Sequence, residues 1–269
     1  MAAQRHTSDP QILDRRTLAR DHRRLASLLR PGMRVLDVGC GTGAITSGIA
    51  RVVGPTGLAL GIDRDPALLR LARERHADVA GLRFEESDVF DLEPDPAFDV
   101  VTAARVLQWI ERPALAVARM AAATRPGGRL VLLEYNHADL VWQPEPPPPV
   151  RRFYDGFLSW RATNGWNNRL AEGLFHLLEE AGLVEVATSV EDEVAVRGES
   201  GFEDSLVIWR RVMESMGPTI VDAGALSADD LAAALVAHES WCGRDARVQR
   251  MVLRAVDGRR QLHAHVESA

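Results

Sequence analysis

The sequence contains no lysine, because all 32 of its basic residues are arginine. This absence excludes a lysine nucleophile or a Schiff-base lysine. Only two cysteines are present, Cys40 and Cys242, which is too few for a disulfide framework and predicts a reducing, cytoplasmic compartment. The histidines, cysteines and carboxylates do not show the spacing of a metal site, so no metal is predicted.

Long uncharged apolar runs are also missing, and 1–8 lacks the apolar stretch of a secretory signal, so the sequence predicts neither a membrane span nor a leader. The net charge of −6 disfavours nucleic acid as a partner, because neutralising phosphates requires a basic face. We interpret the arginine-rich stretch 15–24 as a solvated helix face. The expected partner is a small molecule, bound by a monomer or a homodimer.

Apolar segments alternate with helical ones through the first half of the chain. Predicted strands lie at 33–38, 58–62, 82–86, 98–103 and 129–134, and predicted helices at 11–30, 42–53, 65–76 and 111–124. This alternation predicts an α/β fold with a doubly wound, Rossmann-like parallel sheet covered by helices on both faces. Ligands of such sheets bind at the carboxyl ends of the strands.

The pattern becomes less regular after Glu134. We predict an irregular stretch and a stiff proline linker up to 149, helices at 150–163, 170–181, 201–216 and 228–241, and strands at 183–190, 193–197 and 249–256. The core would then comprise 1–134, 170–198 and a last strand and tail at 247–269. Residues 135–169 and 199–246 would form a helical lid inserted after strands 5 and 6.

One glycine-rich turn, at 39–43, follows the first predicted strand and opens a helix. Gly39 and Gly41 satisfy the dinucleotide pattern G-x-G-x-x-G/A loosely, so a nicotinamide-dependent oxidoreductase is one interpretation. Asp37, however, precedes the first glycine by two residues, and a carboxylate there would repel a pyrophosphate. It would suit a ligand that carries an ammonium group.

Several motifs in this order resemble the class I S-adenosylmethionine-dependent methyltransferases, most of all the branch of the ubiquinone/menaquinone-biosynthesis methyltransferases. The resemblance covers about 10–135. Its motifs are Arg16-Thr17, the turn from Asp37 to Gly43, Gly61-Ile62-Asp63, Ser87-Asp88-Val89, Arg105 to Trp109 and Pro126-Gly127-Gly128. It implies a seven-stranded, mostly parallel sheet and S-adenosyl-L-methionine as the cofactor.

The resemblance also implies roles for individual residues. Arg16 would hold the cofactor's carboxylate, the turn would border its methionine portion, Asp63 would take the ribose hydroxyls and Asp88 would contact adenine. The full predicted cofactor set is Arg16, Asp37, Gly39, Cys40, Gly41, Asp63, Arg64, Asp88, Val89, Arg105 and Gln108. Cys40 would act as a small spacer rather than as a nucleophile.

The acceptor is expected in the second half of the chain, which holds five of the six tryptophans. An aromatic lining suits a flat or aromatic acceptor, although packing of the lid is an alternative role for these rings. The predicted acceptor residues are Asn136, Trp142, Phe157, Trp160 and Trp166. His137 is the candidate general base, if the reaction needs one.

The predicted function is in-line methyl transfer from S-adenosylmethionine to a small, aromatic metabolite of bacterial natural-product type. An arginine-only set of basic residues is typical of GC-rich bacterial genomes. Two alternatives stay open at this stage. One is an NAD-dependent oxidoreductase, and the other is a non-catalytic regulatory protein that keeps the cofactor pocket. Within the methyltransferase class, a quinone ring or a protein side chain is also a possible acceptor, and the methylated atom is open as well.

Overall fold

The computed structural model describes residues 9–262 of the chain, so the predicted ends of the core and of the tail lie outside the described residues. Eight strands occur in this part of the chain: β1 (Arg34–Val38), β2 (Leu58–Asp63), β3 (Leu82–Glu86), β4 (Phe98–Ala104), β5 (Thr124–Gln143), β6 (Leu183–Val190), β7 (Glu193–Val196) and β8 (Val248–Arg260).

The α-helices alternate with these strands and then dominate the later part. They are α1 (Pro10–Leu13), α2 (Leu18–Asp21), α3 (Arg23–Leu28), α4 (Ala44–Val53), α5 (Pro66–Arg75), α6 (Pro113–Ala123), α7 (Pro148–Thr163), α8 (Leu170–Glu180), α9 (Phe202–Asp222) and α10 (Ala228–Arg244). Short 3-10 turns lie at Val89–Asp91 and Leu107–Trp109.

The strands form one sheet in the order β3-β2-β1-β4-β5-β8-β6, and β7 pairs with β8 beside this path. Pairings among β1 to β5 are parallel, whereas β8 runs antiparallel to β6 and β7. The predicted doubly wound α/β fold is therefore confirmed. β7 is the strand predicted at 193–197, and it brings the number of strands to eight, where the resemblance implied seven. Parallel pairing brings the carboxyl ends of β1 to β4 to one edge of the sheet.

The described residues divide into two compact units. The first contains the chain up to Glu134, Ala171–Glu191 and the residues from Arg254 on, and the second contains Tyr135–Leu170 and Asp192–Leu253. The second unit therefore includes β7 and the first half of β8, which the sequence assigned to the core. Within this unit, α10 packs against α7 and α9.

The predicted single helix at 11–30 is wrong, because the structure divides it into α1, α2 and α3. The side chain of Thr17 accepts from the backbone of Arg20 and starts α2 there. His22 then leaves the helical region with φ −151°, and its fully buried ring lies 3.0 Å from Thr102 Oγ1. Burial of this polar ring therefore decides the backbone path against helical periodicity.

The stretch after Glu134 also differs from the prediction, because β5 continues to Gln143 instead of becoming irregular. Polar residues at 136, 137 and 139 interrupt the apolar run and hide the strand from a hydrophobicity pattern. The predicted proline linker is likewise shorter. Pro148 and Pro149 form the first turn of α7, where a missing N–H costs no hydrogen bond.

A buried ion cluster joins three elements of the first unit. Asp257 on β8 is fully buried, and its carboxylate pairs with Arg24 Nε at 2.6 Å and with Arg129 Nη1 at 2.5 Å. The two arginines come from α3 and β5, and each is about 30% exposed. A buried carboxylate is stable only when such partners compensate its lost hydration, so this cluster fixes α3 against the sheet.

Candidate cofactor and acceptor sites

The turn after β1 folds back on the end of β2. The backbone N–H groups of Gly39 and Cys40 both donate to the carbonyl of Ile62, at 2.8 and 3.0 Å. The N–H of Gly41 donates to Asp63 Oδ2 at 2.8 Å. Three consecutive amides of the turn are thus tied to β2, which brings Asp63 beside the glycines.

All three glycines of this turn adopt a left-handed backbone, with φ 71° at Gly39, 56° at Gly41 and 76° at Gly43. A Cβ atom on Gly39 would lie 2.5 Å from Val106 Cγ2, and one on Gly41 would lie 2.8 Å from Leu13 Cδ1. Side chains therefore cover both positions closely, and only glycine meets the conformational and the spatial requirement together.

Asp37 is buried under the turn, with 4% of its surface exposed. Thr46 Oγ1, from α4, donates to its Oδ2 at 2.6 Å. Burial raises the pKa of Asp37 to about 7; the bond from Thr46 opposes the rise, and the charge of Asp63 adds to it. A nearby cation would reverse this rise, because it would stabilise the ionised carboxylate.

Asp63 ends β2 at the same edge of the sheet. Its Oδ1 accepts from the backbone of Asp65 at 2.9 Å, while Oδ2 holds Gly41. Burial raises the pKa of Asp63, and these two backbone donors counter the rise. Arg64 follows it with an exposed side chain whose charge also lowers the pKa of Asp63. The site therefore holds two neighbouring acids in partly desolvated positions.

The segment after β3 contains the predicted adenine-side pair. Asp88 Oδ1 accepts from the backbone of Phe90 at 3.0 Å and caps the 3-10 turn that Val89 opens. Val89 is buried, and Ser87 N–H donates to the carbonyl of Asp63 at 3.1 Å. The capping bond fixes the local conformation of Asp88, and the bond from Ser87 to Asp63 keeps this segment next to the end of β2.

Arg105 follows β4 with φ 63°, a left-handed conformation that is uncommon for a side chain with a Cβ atom. Its guanidinium is buried, and Nη1 donates to the backbone carbonyl of Asp21 at 3.1 Å. The side chain of Gln108 donates to the carbonyl of Arg105 at 3.1 Å. Strained backbone of this kind is concentrated at functional sites.

The N-terminal segment also lies at the carboxyl edge of the sheet, where Leu13 covers Gly41 and Asp21 accepts from Arg105. Arg16 lies half-buried between α1 and α2, and its N–H donates to the carbonyl of Leu13 at 3.1 Å. His22 lies 3.0 Å from Thr102 Oγ1, whose own hydroxyl donates to Val131, so His22 Nε2 is the donor. Burial and the charge of Arg105 lower the pKa of His22 to about 3, which keeps it neutral.

The predicted acceptor aromatics lie together inside the second unit. Trp142, Phe157, Trp160 and Trp166 are each at most 7% exposed. The ring centroids of Trp160 and Trp166 are 5.2 Å apart, and those of Phe157 and Trp160 are 6.4 Å apart. Trp142 is linked to Phe157 through the ring of Tyr154. We use the name aromatic cluster for these four residues together with Tyr154, Trp209 and Trp241.

His137 lies at the border of the aromatic cluster, with its ring 5.5 Å from that of Phe157. Its backbone carbonyl accepts from the hydroxyl of Tyr154. Burial, followed by the charge of Arg161, lowers the pKa of His137 well below its ordinary value, which makes it a weak base. Asn136 is buried beside it in the chain, and its Nδ2 donates to Asp139 Oδ2 at 3.3 Å.

The sequence did not single out four residues that the structure places at these sites. Thr46 holds Asp37, Leu13 covers Gly41, and His22 anchors the N-terminal segment. Arg161 is fully buried and lies over the rings of Phe157 and Trp166, at 5.5 and 5.9 Å. One signal was present, because Arg161 falls between two tryptophans at 160 and 166.

The first unit fits S-adenosylmethionine on three observations. The raised pKa of Asp37 reflects a buried acid that an ammonium group would stabilise. The hydroxyl of Thr42 is buried in the turn and has no hydrogen-bond partner among the described residues. The left-handed glycines let the chain turn tightly at the ends of β1 and β2, which brings the backbone of the turn beside Asp63. When bound, the cofactor would supply a methyl group on an electrophilic sulfonium.

Within residues 9–262, no cluster of three or more histidine, cysteine or acidic side chains is suited to a metal ion. The helices of this same part include none that is long and apolar enough to span a bilayer.

A doubly wound sheet with an acid and a glycine-rich turn at its carboxyl edge is a Rossmann-like fold. Residues 29–170 match a family model described as methyltransferase domain. The chain belongs to this methyltransferase domain family, within the class I S-adenosylmethionine-dependent methyltransferases. This family membership favours the predicted methyltransferase over the oxidoreductase.

Curated relatives agree with the resemblance found in the sequence. The ubiquinone/menaquinone biosynthesis C-methyltransferase of Burkholderia orbicola (strain MC0-3) is 38% identical over 131 residues, which are 47% of this chain and 50% of the relative. An equivalent protein of Stutzerimonas stutzeri (strain A1501) is 40% identical over 111 residues, or 40% of this chain and 43% of the relative. This chain thus spans about half the length of such relatives.

Solved structures share the fold at low identity. Phosphoethanolamine N-methyltransferase 2 of Haemonchus contortus, in complex with S-adenosylhomocysteine, has a TM-score of 0.54 and 18% identity, covering 87% of this chain and 50% of its own. The [4+2]-cyclase SpnF also reaches 0.54, with 22% identity over 94% of this chain and 80% of its own. Proteins that are named after different reactions thus share this architecture, so the fold alone does not decide the acceptor.

Proposed function

We propose that this chain transfers the methyl group of S-adenosylmethionine to a small aromatic metabolite, with the donor held by the first unit and the acceptor recognised by residues of the second. The observation that carries the proposal is the arrangement of Asp37, the glycine turn and Asp63 at the carboxyl ends of β1 and β2. The methyl group needs no covalent activation by the protein, so orientation and exclusion of water are the main tasks.

The residues of the first unit support distinct roles in holding the donor. Asp37 would bind the ammonium group, and Asp63 would accept from the ribose hydroxyls while it keeps the turn closed through Gly41. Asp88 and Val89 would border the adenine. Arg105 and Gln108, which are joined by a hydrogen bond, would line the methionine portion of the cofactor. Arg16 from the N-terminal segment would lie on the same side of the cofactor.

The aromatic cluster of the second unit supports a flat acceptor, because stacked and edge-on rings favour planar aromatic ligands. His137 can orient an acceptor better than it can deprotonate one, since its pKa is well below the ordinary value. The segments 135–169 and 199–246 supply these side chains and would act as the lid.

A quinone ring is the second candidate acceptor, and the names of the curated relatives favour it. The two candidates predict methylated products in different fractions of an extract. We would incubate the protein with trideuteromethyl-labelled S-adenosylmethionine and a small-molecule extract of its source cells, and identify labelled products by mass spectrometry. Label in polar aromatic compounds supports the first candidate, and label in lipid-soluble quinones supports the second.

Two variants make the experiment specific. Asp63→Ala removes the acid at the ribose position and opens the turn, so we expect loss of donor binding and of label. Asp99→Asn is the matched control, because Asp99 lies near the start of β4 and pairs with Arg125 at the opposite edge of the sheet. Donor binding without labelled product in any fraction would contradict the proposal and favour the non-catalytic regulatory protein.

A further inference from the structure

Three buried indole groups of the second unit carry an N–H that has no hydrogen-bond partner among the residues that the structure describes. They belong to Trp160, Trp209 and Trp241, which are 4%, 3% and 3% exposed. Buried polar groups in folded proteins are nearly always satisfied, and each exception requires an explanation such as a bound water or a ligand. Three exceptions of one chemical kind in one unit point to a common cause.

The three indoles belong to one continuous set of rings. Phe157 lies 6.4 Å from Trp160 and 5.7 Å from Trp209, measured between ring centroids. Trp142 connects Trp209 to Trp241, at 5.9 and 6.2 Å. The donors therefore occur along the aromatic cluster rather than in separate parts of the unit.

Trp142, in the same cluster, is an indole whose N–H the protein itself satisfies. Its Nε1 donates to the side chain of Gln249 at 2.7 Å, and Gln249 in turn donates to the carbonyl of Ser205 at 3.0 Å. The sequence has therefore provided a buried acceptor for one tryptophan of the cluster. The other three indoles are buried to a similar degree, but none of them has such an acceptor among the described residues.

Arg161, which lies over two rings of the cluster, resembles the indoles in offering hydrogen-bond donors. Arg161 is fully buried, and its Nε donates to Asn168 Oδ1 at 2.8 Å while the guanidinium lies over Phe157. A guanidinium has hydrogen-bond donors and no acceptor, and the indole N–H is also a donor only. A ligand with acceptor oxygens would match this lining, and one with its own N–H groups would not.

We propose that the methyl acceptor is a planar aromatic compound whose ring carries hydrogen-bond-accepting oxygens, such as carbonyl, ether or phenolate groups, and that the indoles of Trp160, Trp209 and Trp241 donate to them. This inference rests on the proposed function, because it names the acceptor class of the same site. It makes the three tryptophans determinants of specificity and not merely packing residues.

The first test removes each N–H without changing the shape of the ring. Replacement by β-(3-benzothienyl)alanine, in which sulfur stands where the N–H was, is made singly at positions 160, 209, 241 and 142. Without acceptor, loss of an unsatisfied donor should leave Tm unchanged or raise it by roughly 2–4 °C at 160, 209 and 241. The matched change at 142 should lower Tm, because Gln249 loses its donor.

The second test measures binding of three bicyclic probes to the full chain in the presence of S-adenosylhomocysteine, by ligand-observed NMR titration. Chromone offers two acceptor oxygens and no donor, indole offers a donor, and naphthalene offers neither. We expect chromone to bind most tightly of the three probes. Where a replacement at 160, 209 or 241 removes an N–H that contacts chromone, the Kd of chromone should rise about 2–10-fold. The Kd of naphthalene should not change.

The inference is overturned if naphthalene or indole binds as tightly as chromone, or if chromone affinity is the same in all three variants. A fall in Tm at 160, 209 and 241 equal to that at 142 would also overturn it, since it would assign those donors to buried water or protein partners. Failure of the proposed function has a separate signature, namely no calorimetric binding of S-adenosylmethionine to the unmodified chain.

Discussion

Asp37→Asn should stabilise the ligand-free protein at neutral and basic pH while it weakens cofactor binding. In the folded chain burial raises the pKa of Asp37 from 3.8 to about 7. The folded state therefore binds more protons than the unfolded state between about pH 4 and pH 7. Ionisation of this acid consequently removes stability as the pH rises through that window. Asparagine cannot ionise, and its side-chain oxygen still accepts the bond from Thr46.

The size of the effect follows from the two pKa values. A rise from 3.8 to about 7 is about 3 pH units, and each unit corresponds to about 1.4 kcal/mol, so the full destabilisation is about 4 kcal/mol above pH 7. About 3 kcal/mol of this develops between pH 5 and pH 8, the range in which unfolding is convenient to measure.

The pH dependence of the unmodified protein does not report on Asp37 alone. The pKa of His22 is lowered to about 3 and that of His238 to about 4, both mainly by burial. These histidines make the protein less stable as the pH falls below about 6.5, which opposes the trend from Asp37. The informative quantity is therefore the difference between the variant and the unmodified protein at each pH.

Urea unfolding at pH 5 and pH 8 measures this difference. We expect Asp37→Asn to gain about 3 kcal/mol on the unmodified protein between the two pH values. Asp257→Asn is the matched control, because it also neutralises a buried aspartate but breaks the ion pairs to Arg24 and Arg129. It should destabilise the protein by about 3 kcal/mol.

The same measurement with saturating S-adenosylmethionine completes the design. An ammonium group beside Asp37 stabilises the ionised carboxylate, so the advantage of the variant should disappear or reverse. A stability difference that stays constant within about 1 kcal/mol from pH 5 to pH 8 would refute the assignment of a raised pKa to this acid. An advantage unchanged by the cofactor would refute its role in binding the ammonium group.

Three further predictions concern the same edge of the sheet. The affinity of the unmodified protein for S-adenosylmethionine, measured by calorimetry, should fall up to about tenfold per pH unit below about pH 7, whereas Asp37→Asn should show no such dependence. Gly41→Ala should lower cofactor affinity at least about tenfold because a Cβ meets Leu13, whereas Gly182→Ala, where nothing lies near, should cost only about 1 kcal/mol of stability for its left-handed backbone. His22→Phe should make the protein more stable than the unmodified chain below about pH 5, because the buried imidazole is no longer present to take up a proton on unfolding. At pH 8 the variant should be slightly less stable, because it loses the bond to Thr102. If the free energies of unfolding of the two proteins change in parallel with pH, this prediction is contradicted.

The first unit was predictable from sequence because its strands and helices are local and regular. From β1 to α6 the predicted elements agree with the structure within about two residues, since apolar runs and glycine or proline boundaries mark each one. β5 begins at Thr124, five residues before the predicted strand. The failures have a different cause. The divided helix at 11–30 depends on the buried contact of His22 with Thr102, 80 residues away, which periodicity cannot reveal.

The part of the site that lies at the glycine-rich turn was predictable from the sequence. Asp37, Gly39, Gly41 and Asp63 come together through hydrogen bonds between adjacent parallel strands, which the alternation of strands and helices implies. The roles of these residues toward the cofactor stay predictions. Arg161 and the three unsatisfied indoles were not predictable, because donor satisfaction depends on tertiary partners and not on residue type.

The places where local preference and structure disagree are concentrated at this edge of the first unit. Asp37 is an acid in a position that raises its pKa, and Arg105 takes a backbone conformation that favours glycine. Each costs free energy in the ligand-free protein. Asp37→Asn tests this cost directly for the acid. Their persistence is consistent with a ligand that brings the missing cation, and S-adenosylmethionine has such an ammonium group.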